Sequence, residues 1–505
     1  MREGHRNASS MVQNLRRLFC FRAALVILLT GAAFLFLTPK TISAAVKAIH
    51  VQGTQLVDSS GEQVQLCGVS THGLQWYPQY VNEASFASLK GSWGANVVRL
   101  AMYTGEGGYC TGGDKTRLEQ IIDTGVKAAN NQGMYCIIDW HTLSDSNPQT
   151  YQGEAVNFFR KMSAKYASYN NVIYEICNEP CNGTTWGQVK SYADAVVAAI
   201  RANDKKALIL VGTPNWAQLG LDGSLYNAYY SNQTDTDLNT ILNNRINDSN
   251  LMYTCHFYAT THVDWLRARV NRAIDAGLPV FISECSICDS SGGGNIDYTQ
   301  ANAWKNLIVQ RRLSFCAWSL CNKAETSALI SSGCQKTSGW SDSDLSATGK
   351  WFKKFIWNQG ELSKPTPEGA MFRLYHPHTG EHFYTSSRLE RNTLVSRGWI
   401  YEGIGWYAPK KSSTPVYRLY YPFTTDHHYT SDKHEYDTLI KKYGWKGEGI
   451  GWYSSDSKEV PIYRQYNPGA RTGAHNYSDS KYENDVLVSK HGWIAEGIGW
   501  YGIKQ

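Results

Sequence analysis

The stretch NVIYEICNEP, residues 171–180, decides the fold. Its first residues are mostly apolar, as in a parallel strand that is covered on both faces, and Asn178 and Glu179 then follow at the end of the strand. Seven further segments share this pattern and alternate with amphipathic, helix-like segments: VQLCGVS (64–70), ANVVRLAMY (95–103), MYCIIDW (134–140), ALILVGT (207–213), NLMYTCHFY (250–258), LPVFISE (278–284) and LSFCAWSL (313–320). Eight strands with intervening helices predict an α/β fold, a (β/α)8 barrel.

Ionisable and aromatic residues lie where these strands end. The carboxyl ends of the strands form the active-site face of such a barrel. The residues at these ends are Arg99, His141, Asn178, Glu179, Trp216, His256, Tyr258, Glu284 and Trp318. Each of them alone has a structural reading, such as an ion pair, a core histidine or a packed rim tryptophan. Their joint occurrence favours a functional site.

Two glutamates give this site its chemistry. Glu179 follows the fourth strand and Glu284 ends the seventh, so we expect them to face each other across the barrel mouth. Glycoside hydrolysis uses such a pair, and a gap of about 5 to 5.5 Å between the carboxyl groups gives retention of configuration. We expect Arg99 and Tyr258 to hold one carboxylate ionised, and His141 with its counterpart His256 to orient the other groups.

The sequence resembles glycoside hydrolase family 5, most closely its bacterial endoglucanase-like subfamily of β-1,4-glucanases. The resemblance covers residues 48–358. Its motifs are GVSTHGLQW (68–76), NVVRLAMY (96–103), IIDWH (137–141), IYEICNEP (173–180), CHFYA (255–259), PVFISE (279–284) and AWSLCNKAETSAL (317–329).

This resemblance implies a role for each site residue. Glu179 is the expected general acid/base, with a raised pKa, and Glu284 is the expected nucleophile, whereas Glu175 should not be mistaken for the acid. The implied substrate-binding residues are Arg99, His141, Asn178, His256, Tyr258, Trp318, His72, Trp76, Trp216, Lys323 and Glu325. We expect no metal and no cofactor, since the chemistry requires none.

The predicted function is that of a secreted, monomeric, retaining endo-β-1,4-glucanase (cellulase) that cuts β-glucan polysaccharide internally. One alternative is a β-mannanase or mixed-linkage β-glucanase on the same barrel, because loops select the sugar. Another is a non-catalytic glycan-binding protein that uses the barrel as a scaffold. The net charge of +6 over 505 residues, with no basic block outside the N-terminus, argues against a nucleic-acid partner.

Residues 1–45 are predicted to be a signal peptide. Basic residues precede the apolar run AALVILLTGAAFLFL (23–37), and small residues follow at Ser43-Ala44-Ala45. This order is typical of secretion with cleavage near Ala45, so we expect an extracellular protein. An uncleaved membrane anchor is the alternative, because the apolar run is long for a signal peptide.

Eleven cysteines follow the predicted signal peptide, between Cys67 and Cys334. Several lie inside predicted strands, so we interpret them as buried free thiols that pack like small hydrophobic side chains. Zinc at Cys285 and Cys288 is the alternative, although a second CxxC pair is missing.

The chain after the barrel repeats itself. We predict a catalytic domain at 46–358, a linker at 359–370 and three repeats of about 46 residues at 371–505. Each repeat ends in the motif GIGWY, with Trp406, Trp452 and Trp500 at equivalent positions. We expect two strands, a helix and a closing strand in each repeat, and hence a β-rich, pseudo-threefold domain.

This C-terminal region resembles a module appended to secreted bacterial hydrolases. We interpret the GIGWY tryptophans as core residues and the Tyr, His and Asp of the turns as candidates for binding a carbohydrate or cell-wall ligand. A metal at the His-rich turns is the alternative.

Overall fold

The computed structural model describes residues 46–220, 236–363 and 367–504. The predicted signal peptide lies outside these residues. Among the helices of the described ranges, none is both long and apolar enough to cross a membrane.

Eight parallel strands form a closed barrel, which confirms the predicted fold class. The strands are β4 (Cys67–Thr71), β5 (Val97–Tyr103), β6 (Tyr135–His141), β7 (Val172–Glu175), β8 (Leu208–Val211), β9 (Leu251–Tyr258), β10 (Val280–Ser286) and β11 (Phe315–Leu320). A small antiparallel sheet precedes them: β1 (Ile49–Gln52), β2 (Gln55–Asp58) and β3 (Gln63–Val64). It packs Ile49 and Leu56 against the lower interior of the barrel.

A helix of at least eight residues follows each barrel strand, and a four-residue helix, Pro214–Ala217, also follows β8. The longer helices are α1 (Glu83–Trp93), α2 (Lys115–Asn131), α3 (Gln152–Tyr166), α4 (Trp186–Arg201), α5 (Thr236–Asn243), α6 (Asp264–Asp275), α7 (Tyr298–Arg311) and α8 (Ala347–Ser363). Side-chain caps fix several N-termini; for example, the Asn82 side chain accepts a hydrogen bond from the backbone of Ser85. Helix α8 continues to Ser363, so the predicted linker is helical as far as that residue. Residues 364–366 of the linker lie outside the described ranges.

The barrel interior is layered because successive residues of a strand point to opposite faces. Val97 and Ile137 belong to the apolar lower layer. Two residues further along the same strands, Arg99 and Asp139 replace the apolar side chains with charged ones. The outward-facing residues between them, such as Val98 and Ile138, pack in the large core that the strands form with the helices. The strand period thus separates a structural floor from a charged upper layer.

The C-terminal region contains three sheets of the same strand order, each with one helix. We call them units 1, 2 and 3. Unit 1 contains β12 (Ala370–Tyr375), β13 (His382–Thr385), α9 (Arg388–Ser396) and β14 (Ile400–Tyr407). Unit 2 contains β15 (Thr414–Tyr421), β16 (Asp426–Thr430), α10 (Lys433–Tyr443) and β17 (Lys446–Ser454). Unit 3 contains β18 (Val460–Tyr466), β19 (His475–Ser478), α11 (Lys481–His491) and β20 (Ile494–Gly502).

The units share one aromatic core. Trp406, Trp452 and Trp500 are buried with ring centroids 5.4 to 5.8 Å apart, which confirms the prediction that they are core residues. The Tyr384 hydroxyl donates to the backbone oxygen of Tyr477, which lies in another unit, at 2.9 Å. Equivalent bonds link the other units, so a ring of hydrogen bonds closes the core.

Candidate active site

A cavity of about 1170 Å³ opens at the carboxyl ends of the barrel strands. Eleven of the predicted site residues line it: His72, Trp76, His141, Glu179, Trp216, His256, Tyr258, Glu284, Trp318, Lys323 and Glu325. The remaining two, Arg99 and Asn178, are fully buried: Arg99 donates to the Glu284 carboxylate from behind, and the side-chain oxygen of Asn178 accepts from Arg99.

Glu284 accepts two hydrogen bonds from groups that favour its ionised form. Arg99 Nη1 donates to one carboxylate oxygen at 3.0 Å, and the Tyr258 hydroxyl donates to the other at 2.7 Å. This is the expected contact of Arg99 and Tyr258 with one carboxylate. Burial and the neighbouring Glu179 carboxylate nevertheless raise the pKa of Glu284, against the opposing effects of His256 and Arg99.

Glu179 lies four residues beyond the strand and not at its end, because β7 stops at Glu175. The backbone N–H groups of Asn178 and Glu179 donate to the carbonyl oxygens of Trp140 and Thr142, at 3.1 and 3.2 Å. These two bonds fix the loop after the strand. The sequence-based placement of Glu179 at the strand end is therefore corrected to a loop anchored on the neighbouring strand.

The expected raised pKa of Glu179 is also corrected. Its carboxylate lies 2.8 Å from His256 Nδ1. Burial raises the pKa, but the hydrogen bond with His256 and the charges of His256, His141 and Arg99 together lower it. Burial works against the charged imidazole of His256, but the neighbouring carboxylates of Glu175 and Glu179 raise its pKa to about 9. The sequence indicates that Glu179 is buried, whereas its hydrogen-bond partner, His256, is identified only by the three-dimensional structure.

The protons around His256 follow from the hydrogen-bond chain. Ser283 Oγ donates to Glu175 at 2.7 Å, so it accepts from His256 Nε2, which lies 2.9 Å away. With Nε2 protonated in this way, the second imidazole proton is shared between Nδ1 and Glu179. The free site therefore holds one proton in the Glu179–His256 hydrogen bond.

The two glutamates lie close together. A carboxylate oxygen of Glu179, a carboxylate oxygen of Glu284 and a ring nitrogen of His256 all lie within 4.8 Å of one another. The strand register shifts between Phe281 and Glu284, and this bulge lets consecutive residues Ser283 and Glu284 both contact interior groups.

Arg99 does not end its strand, as the sequence suggested, but lies near its start, deep in the barrel. Its guanidinium contacts Glu175 at 2.7 Å, and Asp139 and Glu284 at 3.0 Å each. Burial raises the pKa of Glu175, but the charge and hydrogen bonds of Arg99, together with the neighbouring His256, lower it to about 2. Burial raises the pKa of Asp139. Arg99 is thus the central cation of a buried carboxylate cluster.

Aromatic rings form the walls of the cavity. His141 stacks on Trp318, with centroids 5.4 Å apart, and His72 lies 5.2 Å from the same indole. His141 Nδ1 is 2.6 Å from Asp139, and burial lowers the pKa of His141 to about 4. Trp76 exposes 43% of its surface.

Trp216 is presented by an unusual backbone segment. Asn215, Trp216 and Ala217 all have positive φ angles, of 63°, 54° and 54°. The Trp216 N–H donates to the Pro180 carbonyl oxygen at 3.1 Å, next to Glu179. Trp216 is 39% exposed in the cavity, and such left-handed residues are typical of functional sites.

Lys323 and Glu325 form an ion pair at the cavity wall, 2.6 Å apart. His72 Nε2 lies 3.9 Å from the same carboxylate. The three side chains therefore present charged and polar groups to the cavity from one side.

Sequence reasoning missed four residues of the site: Tyr103, Asp139, Glu175 and Ser283. Tyr103 lines the cavity with its ring centroid 4.1 Å from that of His141. Counting in steps of two from the floor residue Ile137 reaches Asp139, and the same count along β7 reaches Glu175, so the strand period held this signal. The bulge that turns Ser283 inward has no comparable signal.

Among the described residues, one group of His, Cys, Asp and Glu side chains is close enough together to hold a metal ion. It consists of Glu179, His256 and Glu284. Their donor atoms are already committed to one another and to Arg99 and Tyr258, so we assign no metal site. The eleven cysteines from Cys67 to Cys334 are free thiols, and those inside the strands are buried, as interpreted from the sequence, whereas Cys110 and Cys334 are half-buried. Cys285 and Cys288 contact a backbone oxygen and a serine hydroxyl, respectively.

A closed (β/α)8 barrel with two neighbouring carboxyl groups in its mouth is typical of glycoside hydrolases. The family "Cellulase (glycosyl hydrolase family 5)" matches residues 57–324, just over half of the chain. The chain belongs to glycosyl hydrolase family 5.

Relatives of this family resemble the barrel closely. Endoglucanase A of Butyrivibrio fibrisolvens is 45% identical over 307 residues, which are 60% of this chain and 67% of that protein. An endoglucanase of Clostridium saccharobutylicum is 41% identical over 319 residues, 63% of this chain and 66% of that protein. The chain thus spans about two thirds of these relatives. These similarities make the barrel that of an endoglucanase-type glycoside hydrolase.

A solved structure of an endoglucanase catalytic domain is also similar to the barrel. The catalytic domain of a Thermobifida fusca endoglucanase, in complex with cellotetraose, is 34% identical. The match has a TM-score of 0.55 and covers 61% of this chain and 96% of that one. The C-terminal region, residues 370–503, matches a domain of unknown function, DUF5648.

Proposed function

We propose that the chain is a secreted, monomeric, retaining endo-β-1,4-glucanase that hydrolyses internal bonds of cellulose-type glucans by double displacement. The observation that carries the proposal is the Glu179–Glu284 pair, with carboxylate oxygens within 4.8 Å of each other. Retaining pairs are separated by about 5 to 5.5 Å, whereas inverting pairs need about 6.5 to 9.5 Å. The names of the relatives support glucan as the substrate.

Glu284 acts as the nucleophile. Its carboxylate attacks the anomeric carbon as the glycosidic bond breaks, forming a covalent glycosyl-enzyme intermediate. Arg99 and Tyr258 stabilise the ionised carboxylate before the attack, and their hydrogen bonds hold its two oxygens in place.

Glu179 acts as the acid and then as the base. The leaving oxygen takes the proton that the Glu179–His256 hydrogen bond holds in the free site. Once Glu284 is esterified, its negative charge is gone, and Glu179 as a carboxylate can activate water for the second step. His256 supplies and takes up the proton because it lies between Glu179 and Ser283.

The remaining cavity residues bind the sugar chain. Trp76, Trp216 and Trp318 offer flat apolar faces to pyranose rings. Asn178 orients the site through Arg99, and Lys323 and Glu325 offer hydrogen-bonding groups to sugar hydroxyls. Residues 1–45 support secretion, and the C-terminal region serves as an attachment module for glycan or cell wall.

The test is release of reducing ends from soluble carboxymethylcellulose and, separately, from mannan, together with the viscosity of the cellulose derivative. We expect release from the cellulose derivative alone, with a rapid early loss of viscosity that reports internal cuts. Glu284→Gln lowers the rate by at least roughly 10³-fold. Glu154→Gln, a half-exposed carboxylate on α3, is the matched control and retains full activity.

Other results reassign the function. Release from mannan instead keeps the mechanism and changes the substrate. No release from either polymer, or from a mixed-linkage glucan, by folded protein supports the glycan-binding alternative.

A further inference from the structure

The turn of unit 2, residues 421–426, carries a cluster of aromatic rings at the surface of the C-terminal region. Phe423 is 81% exposed, more than any other large hydrophobic side chain of the described residues. Its ring centroid is 5.4 Å from that of Tyr421, and Tyr421 stacks on Trp445 at 5.0 Å. Tyr421 and Trp445 are half-buried, so the exposed Phe423 ring extends a partly exposed aromatic surface, and contiguous apolar surface of this kind marks an interaction site.

The backbone of the same turn is strained. Thr425 has a φ of +59°, a conformation that β-branched residues rarely adopt. Glycine occupies the equivalent positions of the other units: Gly380 in unit 1, with a φ of +79°, and Gly473 in unit 3, with a φ of +66°. Unit 2 thus has a threonine in a backbone conformation for which the other two units use glycine. Backbone strain of this kind is typical of functional sites.

The neighbouring unit holds this turn in place. The Thr472 hydroxyl donates to the Thr424 carbonyl oxygen at 2.9 Å, and the Gly473 N–H donates to the Asp426 carboxylate at 3.0 Å. The rings therefore stand on a fixed support, and a pre-formed surface pays less ordering entropy when it binds.

The other two units do not repeat this set of rings: unit 1 has two imidazoles beside Trp399, and unit 3 has neither of the two aromatic residues of the turn. At the positions of Tyr421 and Phe423, unit 1 has His376 and His378, and unit 3 has Asn467 and Gly469. His376 approaches its neighbouring tryptophan edge-on, not in a stack. The asymmetry points to one binding site in the region and not to three.

We propose that Tyr421, Phe423 and Trp445 form a platform that binds a β-linked glucan chain. All hydroxyl groups of a β-1,4-linked glucose unit are equatorial, so each ring presents apolar C–H faces that fit flat aromatic surfaces. The choice of glucan rests on the proposed function: the platform belongs to the same chain as the barrel. Tethering it to the barrel raises the effective concentration of the catalytic site on an insoluble polymer.

The test compares binding isotherms of full-length protein on insoluble swollen cellulose. All proteins carry Glu284→Gln, so that hydrolysis does not remove the polymer and the barrel cleft contributes equally. We expect Phe423→Ala to weaken binding by at least about fivefold. His378→Ala, the equivalent position of unit 1, is the matched control and leaves binding unchanged. Equal binding by the Phe423→Ala protein and its parent, or no binding by the parent, overturns the proposal.

A second measurement separates this proposal from the proposed function. The Phe423→Ala variant of the otherwise unchanged chain is expected to hydrolyse soluble carboxymethylcellulose at the parental rate, because the exposed ring does not pack in a core. Loss of that activity overturns a role confined to binding insoluble polymer. If the unsubstituted chain is inactive on soluble glucan, the proposed function is contradicted. If it is active but Phe423→Ala leaves cellulose binding unchanged, the platform alone is contradicted.

Discussion

The barrel and the C-terminal region use the same residue types, arginine, glutamate and histidine, in different surroundings. In the barrel, one fully buried Arg99 contacts Glu175 and Glu284. In the C-terminal region, Arg418 pairs with Glu390 of the neighbouring unit near the surface, and the other units repeat the arrangement. The interior beneath these repeated pairs is aromatic.

This difference separates chemistry from assembly. The barrel cluster occurs once, and removal of any member leaves charge in a medium of low dielectric constant. The surface pairs occur three times, are partly hydrated and join one unit to the next. Residue type alone therefore does not identify a site; the depth of a side chain along its strand does.

The largest expected effect comes from the same substitution made in both regions. Arg99→Met leaves Asp139, Glu175 and Glu284 without their cation and is expected to lower the free energy of unfolding by about 3 to 5 kcal/mol. Arg418→Met breaks partly exposed pairs and is expected to cost about 0 to 1 kcal/mol. Urea denaturation of the full chain, followed by circular dichroism, measures both. Equal losses would remove the distinction between the regions.

Histidine titration sharpens the comparison. The pKa of His256 is raised to about 9, so its contribution to stability is complete below pH 6.5 and disappears as the pH rises through about 9. Burial lowers the pKa of His428, in the C-terminal region, to about 4, so its contribution is present above pH 6.5 and disappears as the pH falls towards 4. The two histidines therefore affect opposite sides of the stability profile.

Single substitutions test these opposite signs. His256→Gln is expected to cost up to roughly 3 kcal/mol at pH 6, and progressively less up to pH 9. His428→Gln is expected to act in the opposite sense and to flatten the acid side of the profile. Unfolding free energies measured from pH 4 to 9 provide the check, and a pH-independent cost of both substitutions contradicts the assignment.

The smallest expected effect concerns the eleven cysteines from Cys67 to Cys334, which lie in the barrel and its loops. Burial raises the pKa of the Cys136 and Cys255 thiols, so these side chains are slow to react. Of the two half-buried thiols, we expect brief alkylation of the native protein to label Cys334 first and Cys110 more slowly, because burial raises the pKa of Cys110 to about 12. We expect reducing agent to leave activity unchanged. Mass spectrometry of the peptides reads the pattern. Labelling of Cys285 at the same rate would show that the barrel opens.

The fold was largely predictable because its signals are local. Each apolar run between residues 64 and 320 became a barrel strand, and each GIGWY tryptophan became a core residue, since burial on both faces requires such composition. The expected contacts of Arg99 and Tyr258 with Glu284 also followed from their strands.

The electrostatics of the site were not predictable, because they depend on partners distant in sequence. His256 lowers the pKa of Glu179 from another strand, and Ser283 reaches Glu175 only through the bulge in β10. Neither the proton shared by Glu179 and His256 nor the depth of Arg99 is visible in a motif. The strand period alone would have indicated Asp139.

The stereochemistry of the first product tests the central claim most directly. Proton NMR of a cello-oligosaccharide digest follows the anomeric signals before mutarotation mixes them. The close Glu179–Glu284 pair predicts that the β-anomer forms first and that the α-anomer appears only later. Initial release of the α-anomer would mean inversion by a water held between more distant carboxyl groups, and would contradict the nucleophilic role of Glu284.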